Sequence, residues 1–507
     1  MTVTVDAHTV QRAEQSRARY PDEEGYVERD EVRLFYELYG EGERTVLFLP
    51  TWSIMHSRHW KAQIPYFSRH HRVLTFDGRG NGRSDRPRGT DAYAARQFAD
   101  DAIAVMDATG TESALLVALS AGALWATLLA ADHPERVDAV AYIGPAVPLA
   151  PAHPERTRYS FEDRHETDEG WAKYNRHHWL RDYPGFVEFF FGRMFTEPHS
   201  TKQIEDCIGW GLDTDPETLI DTARGLASLD WFQESCERVR CPVLVIHGSD
   251  DAIRPHAAGA ALADVTGGDL VTLEGSGHAP HARDPVKVNL LLRDFVDPPP
   301  PPRAWTRGKR RRRRALYISS PIGLGHAQRD VAIARELRRL VPDLEIDWLA
   351  QNPVTRVLEG EGERIHPLSA ELANESRHIE SESAEHNLHC FQAWRRMDEI
   401  LVANFMVFHD LVREHEYDLW IGDEAWELDY YLHENPREKR ARYAWLTDFV
   451  GWLPLPEGGE REAFLTADYN AEMIEHIARY PRLRDRALFV GNPEDVVPER
   501  FGPDLPG

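Results

Sequence analysis

The stretch whose reading decides the fold is Leu115–Ala126, LLVALSAGALWA. A run of apolar residues stops at Ser120, two small residues follow, and an amphipathic segment begins. Apolar runs of this length bounded by small residues read as buried strands, and the segment after it reads as a helix. Ser120 then stands on a strand-to-helix turn with Ala118 and Gly122 two residues to either side. Bulky side chains at those places would collide with neighbouring strands. A helix amino terminus behind Ser120 also favours negative charge developing near it. The same pattern suits a small residue that merely closes a turn, so the rest of the chain must decide.

A serine hydroxyl becomes a nucleophile only beside a base, and the base needs an orienting acid. Two later segments offer both. In VLVIHGSDDAIRP (243–255) a strand ends at Gly248 and Asp251 follows three residues on, in a loop closed by Pro255. In VTLEGSGHAPHARDP (271–285) a strand ends near Gly275 and His278 lies in a Gly-flanked loop. Short β-rich runs at 46–50, 72–77, 113–119, 137–144, 241–248 and 269–275 alternate with helical stretches from Gly25 to about Val296. Such alternation predicts parallel strands with helices on both faces. The carboxyl ends of parallel strands share one edge, so Ser120, Asp251 and His278 are expected to converge there. Asp250 and His281 compete for the acid and base roles. The offset from Gly248 and the flexible Gly-Ser-Gly before His278 favour Asp251 and His278, leaving Asp250 and His281 as structural residues.

These motifs, in the order Ser, Asp, His, resemble those of the α/β-hydrolase fold over residues 26–297, in its small esterase, lipase and haloperoxidase-like branch. TFDGRGNGRSDRP (75–87) is similar to the family's D-x-R-G-x-G-x-S loop after the fourth strand, with Arg and Asp side chains expected to brace it. The resemblance implies attack by Ser120 on an acyl carbonyl, proton transfer by His278, and Asp251 holding the imidazole. The region at about 147–235 breaks the strand–helix rhythm, is rich in Trp, Phe and His, and is expected to be a helical cap inserted over one end of the sheet. Its Trp171, Trp179, Phe189, Phe190, Phe191 and Trp210 suit either an apolar acyl pocket or a simple core.

The chain departs from the family at LPTWSIMHSRHW (49–60), where Pro50-Thr51 stand in place of the usual His-Gly. By position the oxyanion donors are the backbone N–H groups of Trp52 and Ala121. Ser rather than Asp at residue 120 excludes the dehalogenase and epoxide-hydrolase branches, which form a carboxylate ester.

Composition narrows the classes further. At 42% hydrophobic and 28% charged over 507 residues, the chain reads as globular with two or three domains. A net charge of -25 argues against a nucleic-acid partner. No 18-residue apolar run predicts a membrane span, and the amino terminus lacks the apolar centre of a signal peptide. Four cysteines, Cys207, Cys236, Cys241 and Cys390, form no CxxC pair or zinc spacing. A reduced, cytoplasmic protein without metal or cofactor is expected.

Residues 1–25 read as a flexible lead. The seam is at 298–314: five prolines at 298–302, then eight basic residues, Arg303, Arg307, Lys309 and Arg310–Arg314. Proline fixes φ and lacks a donor, so the run reads as a stiff spacer. Its basic end reads as a solvated linker or as a patch for an acidic surface, and residues 315–507, with 37 acids against 20 Lys and Arg, are one such surface.

RALYISSPIGLGHAQRDVAIARELRRLVPDLEIDWLA (314–350) reads as a βαβ unit. Its G-x-G lacks the full dinucleotide fingerprint, and Ala350-Gln351 stand where an acid would end the second strand. Residues 315–507 resemble the amino-terminal half of a GT-B glycosyltransferase. Gly323, Gly325 and His326 match its acceptor-side loop, and DLWIGDEAWELDYY (418–431) resembles the strand lining the same cleft, with Asp423 and Glu424 at its end. The nucleotide-sugar half of that family is not found in this sequence, so the half-domain is expected to be incomplete. The expected partner is a small ester or acylated substrate, with a sugar acceptor at the second domain. The alternatives are a glycosyltransferase fusion with an accessory hydrolase, and a non-catalytic hydrolase-fold binding module.

Overall fold

A computed structural model describes residues 15–298, 312–383 and 388–495. Most of the Pro/Arg linker, residues 1–14 of the amino-terminal lead, and the last twelve residues lie outside the described residues. The chain divides into two compact units: Tyr20–Pro298, and Pro299–Gly507 together with the segment ending at Arg19.

The first unit is built on eight strands: β1 (Glu23–Arg29), β2 (Val32–Tyr39), β3 (Thr45–Phe48), β4 (Arg72–Phe76), β5 (Ala114–Leu119), β6 (Val137–Ile143), β7 (Val243–Gly248) and β8 (Asp269–Leu273). Their spatial order is β1-β2-β4-β3-β5-β6-β7-β8. Strands β3 to β8 are parallel, as the alternating pattern predicted, and β5 is buried along its whole length. The helix Gly122–Asp132 after it is apolar on all sides and buried from Gly122 to Ala130, so it is a core helix rather than the amphipathic one expected.

Two expectations are corrected at the amino end. The lead is not loose up to residue 25: Asp22 N–H donates to Leu38 O, and β1 starts at Glu23. β1 and β2 are also antiparallel, so the sheet is mixed. Their two-residue turn, Asp30-Glu31, has both φ values positive, at 50° and 64°. That geometry belongs to a tight hairpin turn normally marked by Asn-Gly or Asp-Gly, a signal this sequence lacks. Residues before Tyr20 join the second unit, where Gln15 Nε2 donates to Asp398 and Ala18 N–H donates to Glu399.

Between β6 and β7 the chain forms six α-helices, Pro154–Thr157, Arg176–Arg181, Tyr183–Met194, Thr201–Gly211, Pro216–Gly225 and Phe232–Arg238, and a 3-10 turn at Gly170–Lys173. Their aromatic residues pack mostly on one another. Trp179 and Phe191 are fully buried, and Trp179 meets Phe186 at 4.5 Å between ring centres.

The second unit has five parallel strands, β9 (Arg314–Ser319), β10 (Glu345–Leu349), β11 (Leu419–Asp423), β12 (Arg442–Thr447) and β13 (Arg486–Phe489), in the order β10-β9-β11-β12-β13. The helix Leu324–Leu340 connects β9 to β10 and buries Val331 and Ala334, while Leu340 at its end is exposed. Order reverses beside β9, which makes its carboxyl end, next to that of β11, the topological switch point of this sheet.

Candidate active site

Ser120 follows β5 with φ of +53°, a left-handed conformation that is costly for a residue with a Cβ. The surroundings hold it there. Ser120 N–H donates to Ile143 O on β6, and Ala146 N–H donates back to Ser120 O. A Cβ on Gly122 would lie 2.9 Å from Pro50 O, so only glycine lets the turn approach the β3 loop.

The Ser120 Oγ–H donates to His278 Nε2 at 2.8 Å. His278 Nδ1–H donates to Asp251 Oδ2 at 2.7 Å. Asp251, after β7, and His278, after β8, are both buried. The other carboxylate oxygen, Oδ1, accepts from Ile253 N–H and Arg254 N–H at 2.7 and 2.8 Å. His247, fully buried at the end of β7, brings Nε2 to 2.9 Å from Oδ2. Burial alone would raise the Asp251 pKa, but His278, His247 and their hydrogen bonds hold it well below the usual carboxylate range. The acid therefore stays ionised and fixes His278 with Nδ1 protonated and Nε2 free to accept. The ring rests against Gly144, where an added Cβ would meet His278 O at 2.5 Å and Nδ1 at 3.2 Å.

Asp250 is exposed and accepts from Ser249 Oγ. His281 is buried with its Nε2 3.2 Å from His59 Nδ1, and burial followed by the charge of His278 drives its pKa down to about 3. Neither reaches Ser120 in any hydrogen bond among the described residues.

The Pro50-Thr51 loop is braced from several sides. Thr51 Oγ1 donates to Leu119 O, Trp125 Nε1 donates to Pro50 O, and Ser53 Oγ donates to Arg79 O. The Trp52 and Ala121 amides donate to no other backbone carbonyl among the described residues, which leaves both N–H groups available beside Ser120. The Trp52 ring meets the cap at Tyr174, Trp179 and Phe190, at 6.0, 5.9 and 5.4 Å. Of the cap aromatics named from sequence, Trp179 and Phe190 thus touch Trp52 of this loop, and Phe191 is core. In the Asp77–Ser84 loop, Asp77 accepts from Ser57 and Arg83 N–H, and Arg79 makes a bidentate pair with buried Asp101.

His247 and Gly144 went unread in the sequence. The only signal for His247 was its position four residues before Asp251. Nothing short of the fold places Gly144 beneath the imidazole.

In the second unit, His326 lies in the first turn of Leu324–Leu340, and Gly325 beside it, so neither is in a loop as expected; Gly323 caps the helix. His326 Nδ1 is 3.0 Å from Asp423 Oδ2 at the end of β11, and 2.7 Å from Arg329. Its hydrogen bond to Asp423 raises its pKa, against the effect of burial. Among the described residues two groups could hold a metal ion by proximity, His326 with Glu424 and Asp448, and Glu434 with Glu472 and His476. Arg329, 3.5 Å from Asp448, already supplies positive charge to the first.

The first unit defines a class. Residues 44–285 match the family model of the alpha/beta hydrolase fold, and this part of the chain has that fold. The bifunctional esterase/perhydrolase of Acinetobacter calcoaceticus is 27% identical over 284 residues, which cover 54% of this chain and 99% of that protein. The 3-oxoadipate enol-lactonase 2 of Acinetobacter baylyi is 26% identical over 260 residues, covering 51% and 91%. Among solved structures, the enol-lactonase from Burkholderia xenovorans LB400 is similar at 23% identity and a TM-score of 0.45, covering 54% of this chain and 99% of that one. The family match stops short of β9. Residues 315–507 lie outside that match, and what the structure shows of them is a parallel sheet. Among the described residues no helix is long and apolar enough to cross a membrane.

Proposed function

We propose that this protein is a serine hydrolase acting on carboxylic esters. The observation that carries the reading is the unbroken hydrogen-bond chain Ser120–His278–Asp251, with a satisfied, ionised carboxylate at its end. In the first half-reaction Ser120 Oγ attacks the ester carbonyl while His278 Nε2 takes its proton. The oxyanion faces the Trp52 and Ala121 amides, and the alcohol leaves with the proton from His278. In the second, His278 deprotonates a water that attacks the acyl-enzyme, which releases the acid and restores Ser120. Each oxyanion donor contributes on the order of 10²–10³ in rate.

Labelling with a fluorophosphonate probe tests this directly. Wild type is expected to label, Ser120→Ala not at all, and His278→Ala far more slowly. A folded wild type that never labels refutes the hydrolase reading and leaves a binding module in its place.

For residues 315–507 we infer a sugar-acceptor-binding half-domain. The cluster of His326, Asp423 and Arg329 at the switch point supports it, since it places charged and hydrogen-bonding side chains where parallel strands present their ligands. Saturation-transfer NMR with a panel of glycosides, wild type against His326→Gln, tests it; no glycoside signal in either protein removes the reading.

A further inference from the structure

Two arginines near Asp251 have no anionic partner among the described residues. Arg254 follows Asp251 by three residues, and only its backbone N–H serves the carboxylate. Its guanidinium makes no hydrogen bond or ion pair among the described residues, and its Nε is fully buried. The Asp251 carboxylate, whose charge Arg254 feels, is already filled by two imidazoles and two amides. Burial, then the neighbouring Arg156, pull the Arg254 pKa down to about 10. Arg156 comes from the cap helix Pro154–Thr157. It donates through one nitrogen to Ile253 O at 2.8 Å, and lies over the rings of Tyr174 and Trp171 at 4.9 and 5.1 Å. It forms no ion pair among the described residues either.

A chain with 84 acidic residues against 59 basic ones has carboxylates to spare. Two neighbouring guanidiniums without one among the described residues, Arg254 buried at its Nε and Arg156 half-buried, are therefore an unusual arrangement, since buried charge is normally paired. Their place is specific as well. Tyr174 touches both Arg156 and the ring of Trp52, whose amide we assign to the oxyanion. Only the Tyr174 ring thus separates the Arg156 guanidinium from the ring of Trp52, and the planar guanidinium fork matches a carboxylate bidentately.

We infer that the substrate is an ester carrying a free carboxylate, which binds Arg254 and Arg156 while its ester carbonyl meets Ser120. The inference rests on the hydrolase reading and narrows its substrate class. Aromatic walls then hold the apolar part of the chain, and the arginines fix its far end.

The test compares two esters of one leaving group: 4-nitrophenyl hemiglutarate, and 4-nitrophenyl 5-methylhexanoate, whose isopropyl group replaces the carboxylate. Uncatalysed rates are subtracted, and fluorophosphonate labelling of Ser120 is run in parallel. Wild type is expected to favour the anionic ester in kcat/KM by about 10- to 100-fold, the worth of a hydrogen bond to a charged group. The ratio should collapse in Arg254→Met, recover in part in Arg254→Lys, and fall at raised ionic strength. Glutarate should slow labelling of wild type and not of Arg254→Met. If Arg254→Met does not fold, Arg156→Gln decides, with an expected fall of several-fold in the same ratio. A protein that labels at Ser120 but shows no preference, or keeps it in both variants, overturns this inference and leaves the hydrolase reading standing. A protein that does not label removes both.

Discussion

Gly144→Ala is the most exacting perturbation of the site, because it touches His278, the proposed base, and adds a single methyl group. Gly144 ends β6 with φ of +48°, and the new Cβ would lie 2.5 Å from His278 O. Ordinary contact begins near 3.4 Å, so the two backbones must part by about 0.9 Å. Left-handed φ adds about 1–2 kcal/mol of strain for a residue with a Cβ. The Nδ1 atom, 3.2 Å from the same Cβ, must move with the ring. Both hydrogen bonds of His278, at 2.8 and 2.7 Å, then stretch toward the limit of useful geometry. Misplacing a catalytic group by about 1 Å costs on the order of 10²-fold in rate. We therefore expect kcat/KM and the rate of fluorophosphonate labelling to fall together by about two orders of magnitude. Far-ultraviolet circular dichroism should stay at wild-type level, and the melting temperature should drop by a few degrees. A folded Gly144→Ala that labels at the wild-type rate would show that His278 is not held where the reasoning requires.

Three further outcomes are expected. His247→Phe removes one donor from Asp251 and should lower kcat/KM about tenfold, given about 1.5–3 kcal/mol for a hydrogen bond to a charged group; unchanged kcat/KM and an unmoved acidic limb of the pH–rate profile would refute it. Arg79→Met leaves Asp101 buried with only Arg29 as cation and should destabilise the first unit by about 3–5 kcal/mol in urea unfolding, a loss under 1 kcal/mol counting against the pairing. Burial, with Asp423 for the first and against the amides of Gln351 and Asn404 for the second, raises Asp330 and Glu375 to about 7. The folded second unit then holds more protons than the unfolded chain between about pH 4 and 7. Its stability should be greatest below that window and fall as pH rises through it, by up to about 1.4 kcal/mol per pH unit for each group. Denaturant melts at pH 5 to 8 should show a shallower slope in Glu375→Gln; an identical slope refutes the assignment.

The convergence of Ser120, Asp251 and His278 could be read before the fold because each stands just beyond an apolar run, and three such runs in parallel bring their ends to one edge. Asp251 was separable from Asp250 by a count of residues, and His278 from His281 by the glycines before it. The β1–β2 hairpin escaped because Asp30 and Glu31 adopt a turn that other residues usually signal. The core nature of Gly122–Asp132 was masked by Thr127, which spends its hydroxyl inside the helix on Ala123 O and on Tyr142. Arg254 and Arg156 were unreadable for a different reason. Local pattern cannot show which charges lack a partner, since that depends on every element packed around them.

The segment before Tyr20 has a consequence for biosynthesis. Ala18 and Glu399, which it joins, are 381 residues apart in sequence. At about 5–20 residues per second on the ribosome, roughly 20–80 s pass before the tail's partner exists. In that interval the first unit, continuous from Tyr20 to Pro298, has all it needs to fold. The second unit closes last and around a strand of chain made first. Its assembly is ordered by translation itself, and a nascent chain stalled before Glu399 carries a finished first unit with the amino-terminal tail still unclaimed.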